Sequence, residues 1–121
     1  MNPIDLLPAA ASIDALWSPR VAAKVNDTYV KLARIQGEFV WHAHEAEDEM
    51  FVVLSGRLCI KFRDGDVWLD AGQAVAIPRG VEHCPFAPEE VRIMLIEPAS
   101  TVNTGDADGD ARTQDAPVWL K

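Results

Sequence analysis

Three histidines and one glutamate are the residues of this chain whose types and spacing suit metal binding. All three histidines lie between positions 42 and 83, and two of them form the sequence His42-Ala43-His44. Alternate residues of a β-strand project to the same face, so both imidazoles could reach one point, as two ligands of one metal ion must. Glu49 follows after a short acidic loop that is long enough to return its carboxylate toward the pair. Taken alone, a His-x-His pair beside an acidic run is more often a solvated surface feature.

Glycine and proline residues around this group form a regular pattern. The full pattern is Gly37-x4-His42-x-His44-x4-Glu49-x6-Gly56 followed by Gly72-x5-Pro78-x-Gly80-x2-His83. The glycines permit tight turns between strands, and the proline fixes the approach to the turn that carries the third histidine. The pattern resembles the two signature motifs of the cupin superfamily. It departs from them in two places. Four residues separate Gly37 from His42, where the family motif has five, and Ala87 stands where the second motif often has Asn.

The resemblance covers about residues 21 to 98 and implies an all-β fold, a small antiparallel jelly-roll barrel with a metal inside it. It implies that the metal ligands are His42, His44, Glu49 and His83. Three imidazoles and one carboxylate suit iron(II), manganese, nickel, zinc or cobalt. Four protein ligands on an octahedral ion leave about two positions for water, oxygen or a chelating substrate. Asp48 is the competing carboxylate, and the motif spacing favours Glu49.

The cupin resemblance implies a class of function without selecting one reaction, because cupins include enzymes of several classes and binding proteins. We expect one divalent transition metal per chain, such as iron, manganese, zinc or nickel, and a small-molecule ligand or substrate. A metal-dependent enzyme of dioxygenase type is favoured. A non-redox isomerase, epimerase or lyase and a non-enzymatic small-molecule-binding cupin are the alternatives.

Short β-type segments separated by Gly, Pro, Asn and Asp make up the middle of the chain. Strands are predicted near 21–25, 28–35, 38–43, 49–54, 57–63, 66–70, 73–77, 82–87 and 90–96. We expect three parts: an N-terminal appendage over 1–20, the cupin barrel over 21–98 and an irregular surface tail over 99–121. The appendage is predicted to hold a short helix over 13–17 capped by Ser12. Trp119 and Leu120 are candidates to attach the end of the tail.

Residue alternation predicts which side chains face the barrel interior. On one strand the inward residues are Leu58, Ile60 and Phe62, and on another Phe51 and Val53 share the face of Glu49, which predicts a mostly apolar pocket. Further contributors to the site from the entry strands are Tyr29, Arg34, Gln36 and Trp41. The segments 50–54 and 91–96 are apolar on both faces, so something must cover their outer side. A partner subunit is one candidate, which predicts a homodimer.

Composition excludes several classes of partner. The chain has 121 residues, with 19 acidic against 11 basic side chains and a formal net charge of −8. This charge would repel a phosphate backbone or an anionic membrane surface, so we expect neither nucleic acid nor membrane as a partner. The N-terminal residues lack the basic segment of a signal peptide, which predicts a cytoplasmic protein. Cys59 and Cys84 form no disulfide framework and are predicted to be free thiols.

Overall fold

The computed structural model describes residues 1–121 as one short helix followed by seven strands. The helix, α1, spans Leu6–Ala11. The strands are β1 (Arg20–Val25), β2 (Thr28–Glu38), β3 (Glu49–Ser55), β4 (Arg57–Phe62), β5 (Gly65–Asp70), β6 (Ala74–Ile77) and β7 (His83–Pro98). All strand pairings are antiparallel, and the predicted all-β cupin jelly-roll barrel is confirmed.

The long strand β7 joins the two halves of the barrel. One sheet has the order β1-β2-β7-β3-β6, and β4 pairs with both β5 and the beginning of β7. β7 therefore contacts β2 along most of its length, β4 near His83 and β3 near Ile96. Between β3 and β4, Gly56 has φ +90°, as its predicted tight turn requires. A Cβ there would lie 3.0 Å from the carbonyl oxygen of Glu90, so this position also needs close backbone approach.

Two of the predicted strand boundaries were wrong. In the segment 38–43, Glu38 is the last residue of β2, and among residues 39–43 only His42 pairs, in an isolated bridge with His83. The segments 82–87 and 90–96 belong to one continuous strand, β7, which contains a bulge at residues 88–90. On the neighbouring strand β2, Ile35 pairs with Val91 and Gly37 pairs with Ala87, so a single residue of β2 lies opposite the three residues of the bulge. The Pro-Glu-Glu sequence that resembled a loop is thus accommodated inside a strand.

The N-terminal helix lies earlier in the chain than predicted. It begins after Asp5 and ends at Ser12, whose hydroxyl donates to the carbonyl oxygen of Ala9 at 2.7 Å. Ser12 is therefore at the C-terminal end of the helix and does not cap a helix over 13–17. Pro8 is tolerated because it lies in the first turn, where backbone N–H groups have no partner inside the helix. Trp17 instead adopts φ +58° in a bend.

The barrel interior follows the predicted alternation. Phe51, Val53, Leu58 and Ile60 are all buried in the main hydrophobic cluster, and Phe62 packs against it. On β3 the inward side chains are those of Glu49, Phe51 and Val53, because alternate residues of a strand face the same side. Both cysteines are free, and both are buried. Cys59 alternates with Leu58 and Ile60 and shares the face of the charged residues Arg57 and Lys61, but that face is covered at Cys59.

The outer face of the sheet is partly covered by the chain itself. A second apolar cluster joins Ala10 and Ile13 to Leu32 on β2, with Leu54 and Met94 packed against it. Leu120 packs there too, and Trp119 forms a bridge with Val21 on β1. The ends of the chain thus supply part of the cover that the apolar strands require, and the predicted attachment through Trp119 and Leu120 is confirmed. A homodimer stays a prediction.

No helix of the chain is both long and apolar enough to cross a bilayer.

Candidate metal centre

The bridge between His42 and His83 brings the distant histidine to the His-x-His segment. The backbone N–H of His42 donates to the carbonyl oxygen of His83 at 3.0 Å, and the reverse bond measures 2.9 Å. Residues that exchange both bonds in this way lie directly opposite each other. Their ring centroids are 4.4 Å apart. The bridge, rather than the predicted strand over 38–43, therefore positions these two imidazoles.

The same local hydrogen bond orients both of these rings. Nδ1 of His42 lies 2.8 Å from the carbonyl oxygen of Val40, and Nδ1 of His83 lies 2.9 Å from that of Val81. Because a carbonyl oxygen only accepts, each Nδ1 must carry the proton. Each Nε2 then presents a lone pair, which is the arrangement that outer hydrogen bonds impose on metal-binding histidines.

The four predicted ligands meet at one point inside the barrel. One donor atom from each of His42, His44, Glu49 and His83 lies within 4.8 Å of the others, and all four residues are buried. Oε1 of Glu49 is 3.4 Å from Nε2 of His44 and 3.4 Å from Nε2 of His83. Two donors about 2.1 Å from a common ion are separated by about 3–4 Å. The donor set therefore fits a single divalent ion.

Several of these buried donor atoms have no hydrogen-bond partner. They are both ring nitrogens of His44, Nε2 of His83 and Oε1 of Glu49. A buried polar atom without a partner costs about 1–3 kcal/mol, and here three such residues face a common centre. A divalent transition metal accepts a lone pair from one nitrogen of each imidazole and from the carboxylate oxygen, and would remove that cost at all of these atoms except the second ring nitrogen of His44. The donor chemistry of the residues thus fits a metal.

Electrostatics hold two of the four residues, Glu49 and His42, in their metal-binding protonation states. Burial alone would raise the pKa of Glu49, but the imidazoles of His44 and His83 hold it below its usual range. Burial, together with the nearby His83, lowers the pKa of His42 to about 4. At neutral pH the site therefore contains a carboxylate and a neutral imidazole at His42, which are the forms that bind metal ions.

The other candidate residues lie outside the cluster. Asp48, the competing carboxylate, is exposed and accepts from the backbone N–H of Arg79 at 2.9 Å. Of the entry-strand candidates, Tyr29 packs on Trp119, Arg34 pairs with Glu90, Gln36 is exposed and Trp41 stacks against Arg63. None of these side chains lines the cavity beside the cluster.

A cavity opens onto the cluster beside His42 and Glu49. It is narrow: about 30 Å³ is open to the centre of a water-sized sphere, and the total space between its lining atoms, including the open mouth, is about 390 Å³. Phe51 lines it as predicted, whereas Val53, Leu58 and Ile60 belong to the solid core and Phe62 packs against that core. The other lining residues are Trp17, Pro19, Ala33, Ile35, Phe39, Pro85, Ile93, Leu95 and Asn103.

Trp17 and Phe39 form one wall of this cavity and were not predicted from the sequence. Their rings stack with centroids 4.6 Å apart and an angle of 12° between planes. The indole N–H of Trp17 donates to the carbonyl oxygen of Gln36, and its backbone N–H donates to that of Arg34. These two bonds hold Trp17 at its positive φ. The pattern around Trp17 predicted a helix over 13–17, so the sequence offered no signal for this role.

The C-terminal tail also contacts the histidine segment, in contrast to the surface tail that was predicted. The backbone N–H of Ala43 donates to Oδ1 of Asp106 at 2.8 Å, and the N–H of Asp106 donates to the carbonyl oxygen of Ala43. Gly105 is so close that an added Cβ would lie 2.4 Å from this carbonyl oxygen. The tail therefore fixes the residue between the two histidines.

A buried ion pair lies behind the ligand carboxylate. Nζ of Lys31 is 3.3 Å from Oε1 of Glu97, and both side chains are at most 5% exposed. Met50 on β3 pairs with Ile96 on β7. Because the strands are antiparallel, Glu49 and Glu97 lie on the same side of this pair and are neighbours across the two strands. Burial and the Glu49 carboxylate raise the pKa of Glu97 to about 8, against the attraction of Lys31. Alternation could have revealed this pair, because both residues share the inward face of their strands.

Comparison with known proteins agrees with this architecture. The family model described as "Cupin domain" matches residues 29–97. A solved cupin-2 domain containing protein from Shewanella frigidimarina NCIMB 400 is 48% identical with a TM-score of 0.76, over 78% of this chain and 93% of that chain. Protein NMB1881 from Neisseria meningitidis is 24% identical with a TM-score of 0.72, over 80% and 99% of the two chains, which shows the fold alone.

A curated relative matches over a shorter stretch. The protein YdbB of Bacillus subtilis (strain 168), described as uncharacterized, is 44% identical over 62 residues. The match covers 50% of this chain and 55% of that protein, so the chain spans about half the length of the curated relative it matches. The match of the family model to more than half of the chain, together with the barrel and its buried donor cluster, shows that this protein belongs to the cupin family.

Proposed function

We propose that this cupin binds one divalent transition metal through His42, His44, Glu49 and His83 and is an enzyme of dioxygenase type acting on a small organic molecule. The observation that carries the proposal is the convergence of unpartnered, buried donor atoms beside an open cavity. A structural site would be closed on all sides, whereas this one faces space that a substrate can enter. A metal held there would supply Lewis acidity and, with iron or manganese, redox chemistry with dioxygen.

The residues of the cavity favour this class over a proton-transferring isomerase or lyase. Such an enzyme needs an acid or base within hydrogen-bond reach of its substrate. The only titratable side chains that line the cavity are His42 and Glu49, which are assigned to the metal. Lys31 and Glu97 lie behind Glu49 and do not line it. The apolar walls exclude bulk water from the reacting groups.

The test is oxygen uptake by protein loaded anaerobically with iron(II), using catechols, hydroxy-ketones and thiol acids as substrates. We expect uptake by the wild type and by Asp48→Asn, and none above background by Glu49→Gln. Asp48 is the matched control, because it is the adjacent carboxylate and an amide there keeps an oxygen acceptor for the N–H of Arg79. Equal uptake in Glu49→Gln would indicate free-metal chemistry. Turnover of a lyase or isomerase substrate, without uptake, would favour the non-redox alternative.

A further inference from the structure

The cavity beside the cluster contains no free positive charge. No lysine or arginine side chain lines it, and the guanidinium of Arg112 lies beside its wall, 4.5 Å from the ring centroid of Phe39. That guanidinium is already bound to both carboxylate oxygens of Asp110, at 2.8 and 2.9 Å. The ammonium of Lys31 lies outside the cavity lining, 3.3 Å from Oε1 of Glu97. An anionic group on the body of a ligand would therefore lose its hydration without gaining a counter-charge.

The cavity also offers few hydrogen bonds to a ligand body. Asn103 is the polar lining residue outside the donor cluster, and each end of its amide makes one hydrogen bond within the protein. Its Nδ2 donates to the carbonyl oxygen of Arg112 at 2.9 Å, and its Oδ1 accepts from the backbone N–H of Gln114 at 2.8 Å. One N–H and one oxygen lone pair of this amide remain, so further polar groups on a ligand body would be buried without a side-chain partner, at a cost in free energy.

The shape of the wall favours a flat or compact apolar group. Trp17 and Phe39 are nearly parallel, and Phe51, Ile93 and Leu95 face the same space. Aromatic rings pack well against such surfaces in offset-stacked or edge-to-face arrangements. Polar recognition is thus concentrated at His42 and Glu49, at one end of a cavity that is otherwise apolar. The net charge of −8 adds long-range repulsion of anions.

We propose that the site takes small molecules that carry oxygen donors at one end and an uncharged, apolar body at the other. The oxygen donors face the metal end of the cavity, and the body lies against Trp17, Phe39 and Phe51. Sugar phosphates and substrates with a carboxylate remote from the donors are excluded. This inference rests on the proposed function, because it assumes a metal at the donor cluster.

The test measures binding of three related catechols to anaerobic, zinc-loaded protein by calorimetry. Catechol is the reference, 4-methylcatechol adds an apolar group and 3,4-dihydroxybenzoate adds a remote carboxylate. Burial of one methyl group predicts about three- to fourfold tighter binding of 4-methylcatechol. We expect 3,4-dihydroxybenzoate to bind at least about tenfold more weakly than catechol, because its charge has no partner. Equal or tighter binding of the carboxylate, or no binding of any catechol to zinc-loaded protein, would overturn the inference.

A charge introduced at the wall sharpens this test. Phe39→Lys places an ammonium at the mouth and should reverse the preference, so that 3,4-dihydroxybenzoate binds more tightly than catechol. Trp68→Lys is the matched control, because Trp68 is an exposed aromatic residue on β5 and should leave the order unchanged. Should Phe39→Lys fail to fold, the three-probe series on the wild type still decides the question.

Zinc content, measured on the same samples, separates the two proposals. Wild-type protein that loses zinc on dialysis as readily as His44→Ala would contradict the metal site and, with it, the inference built on the site. Protein that retains zinc but binds charged and uncharged catechols equally would contradict the inference about substrate class alone.

Discussion

Two clusters of buried polar side chains lie next to each other in this barrel and differ in how their polar atoms are satisfied. Nζ of Lys31 and Oε1 of Glu97 give each other a polar partner at 3.3 Å, and only Oε2 of Glu97 lacks one. In the donor cluster, His44, His83 and Glu49 all keep unpartnered atoms that face a common centre. Burial of polar groups is tolerated when the protein satisfies them internally. Convergent groups that it leaves unsatisfied indicate a missing ligand.

The largest expected effect is on metal affinity when one donor is removed. A four-ligand site that binds zinc by about 10–16 kcal/mol draws about 2.5–4 kcal/mol from each ligand. We therefore expect His44→Ala to lower metal affinity on the order of 10²- to 10³-fold, as measured by competition with a chelator and by metal content after dialysis. The metal-free variant should unfold within about 1 kcal/mol of the wild type, because the His44 nitrogens make no hydrogen bond. Equal metal retention in both proteins would contradict the assignment.

The next effect is on stability when the ion pair is broken. Where Glu97 is ionised, Lys31→Met leaves its carboxylate buried without a cation, and breaking a buried pair costs about 3–5 kcal/mol. Because the pKa of Glu97 is raised to about 8, we expect a loss near 3 kcal/mol in urea unfolding of the metal-free protein at pH 9 and a smaller loss at pH 7. The double variant Lys31→Met, Glu97→Met should recover most of that loss. A double variant as unstable as the single one would show that packing, not charge, decides the effect.

A smaller effect comes from His42, whose folded-state pKa is about 4 against 6.5 when unfolded. Below pH 6.5 the unfolded chain binds a proton that the folded protein does not, so stability falls as the pH falls toward 4. Between pH 7 and pH 5 the metal-free protein should lose about 2 kcal/mol through this residue. Urea unfolding of the wild type and of His42→Gln at both pH values isolates the effect. An identical pH dependence in the two proteins would contradict it.

The sequence was sufficient to predict the donor cluster but not its surroundings. The spacing of the family motifs identifies His42, His44, Glu49 and His83, and the alternation of side chains along β3 predicts that Glu49 faces inward. Both signals can be read from the sequence, because the first is shared by a family and the second is local. The contacts of Gly105 and Asp106 with Ala43 join residues about sixty positions apart, and no periodic pattern predicts such a contact. The helix was misplaced because the apolar residues at 13–17, Trp17 among them, fit a helical pattern equally well. Tertiary packing decided between the alternatives.

The Lys31–Glu97 pair is an intermediate case. Lys31 shares the inward face of β2 with Ala33 and Ile35, and Glu97 shares that of β7 with Ile93 and Leu95. Opposite charges on the buried faces of paired strands predict an ion pair. The sequence therefore shows that Lys31 and Glu97 each face inward. It predicts their contact only if β2 and β7 are known to be neighbours, and the local sequence does not reveal which strands pair.

The smallest expected effect concerns the tail that supports the donor cluster. In Gly105→Ala the new Cβ would lie 2.4 Å from the carbonyl oxygen of Ala43 and 3.0 Å from Cδ2 of His42, at a φ of +54°. The tail or the histidine segment must shift, and changes just outside a metal's ligands typically cost about 10- to 100-fold in affinity. We expect about tenfold weaker metal binding, measured by chelator competition.

Gly109→Ala is the control that separates the clash from the backbone strain. Gly109 has φ +73° and nothing within 4 Å of an added Cβ, so its substitution carries the penalty of a positive φ, about 1 kcal/mol, without a contact to the histidine segment. The two variants should therefore lose similar stability from strain, while Gly105→Ala alone weakens metal binding. Equal metal affinity in both would show that the tail covers the donor cluster without positioning it. A tenfold difference would make the tail part of the metal centre, because Gly105 approaches Ala43 and His42 whereas an added Cβ at Gly109 would meet nothing within 4 Å.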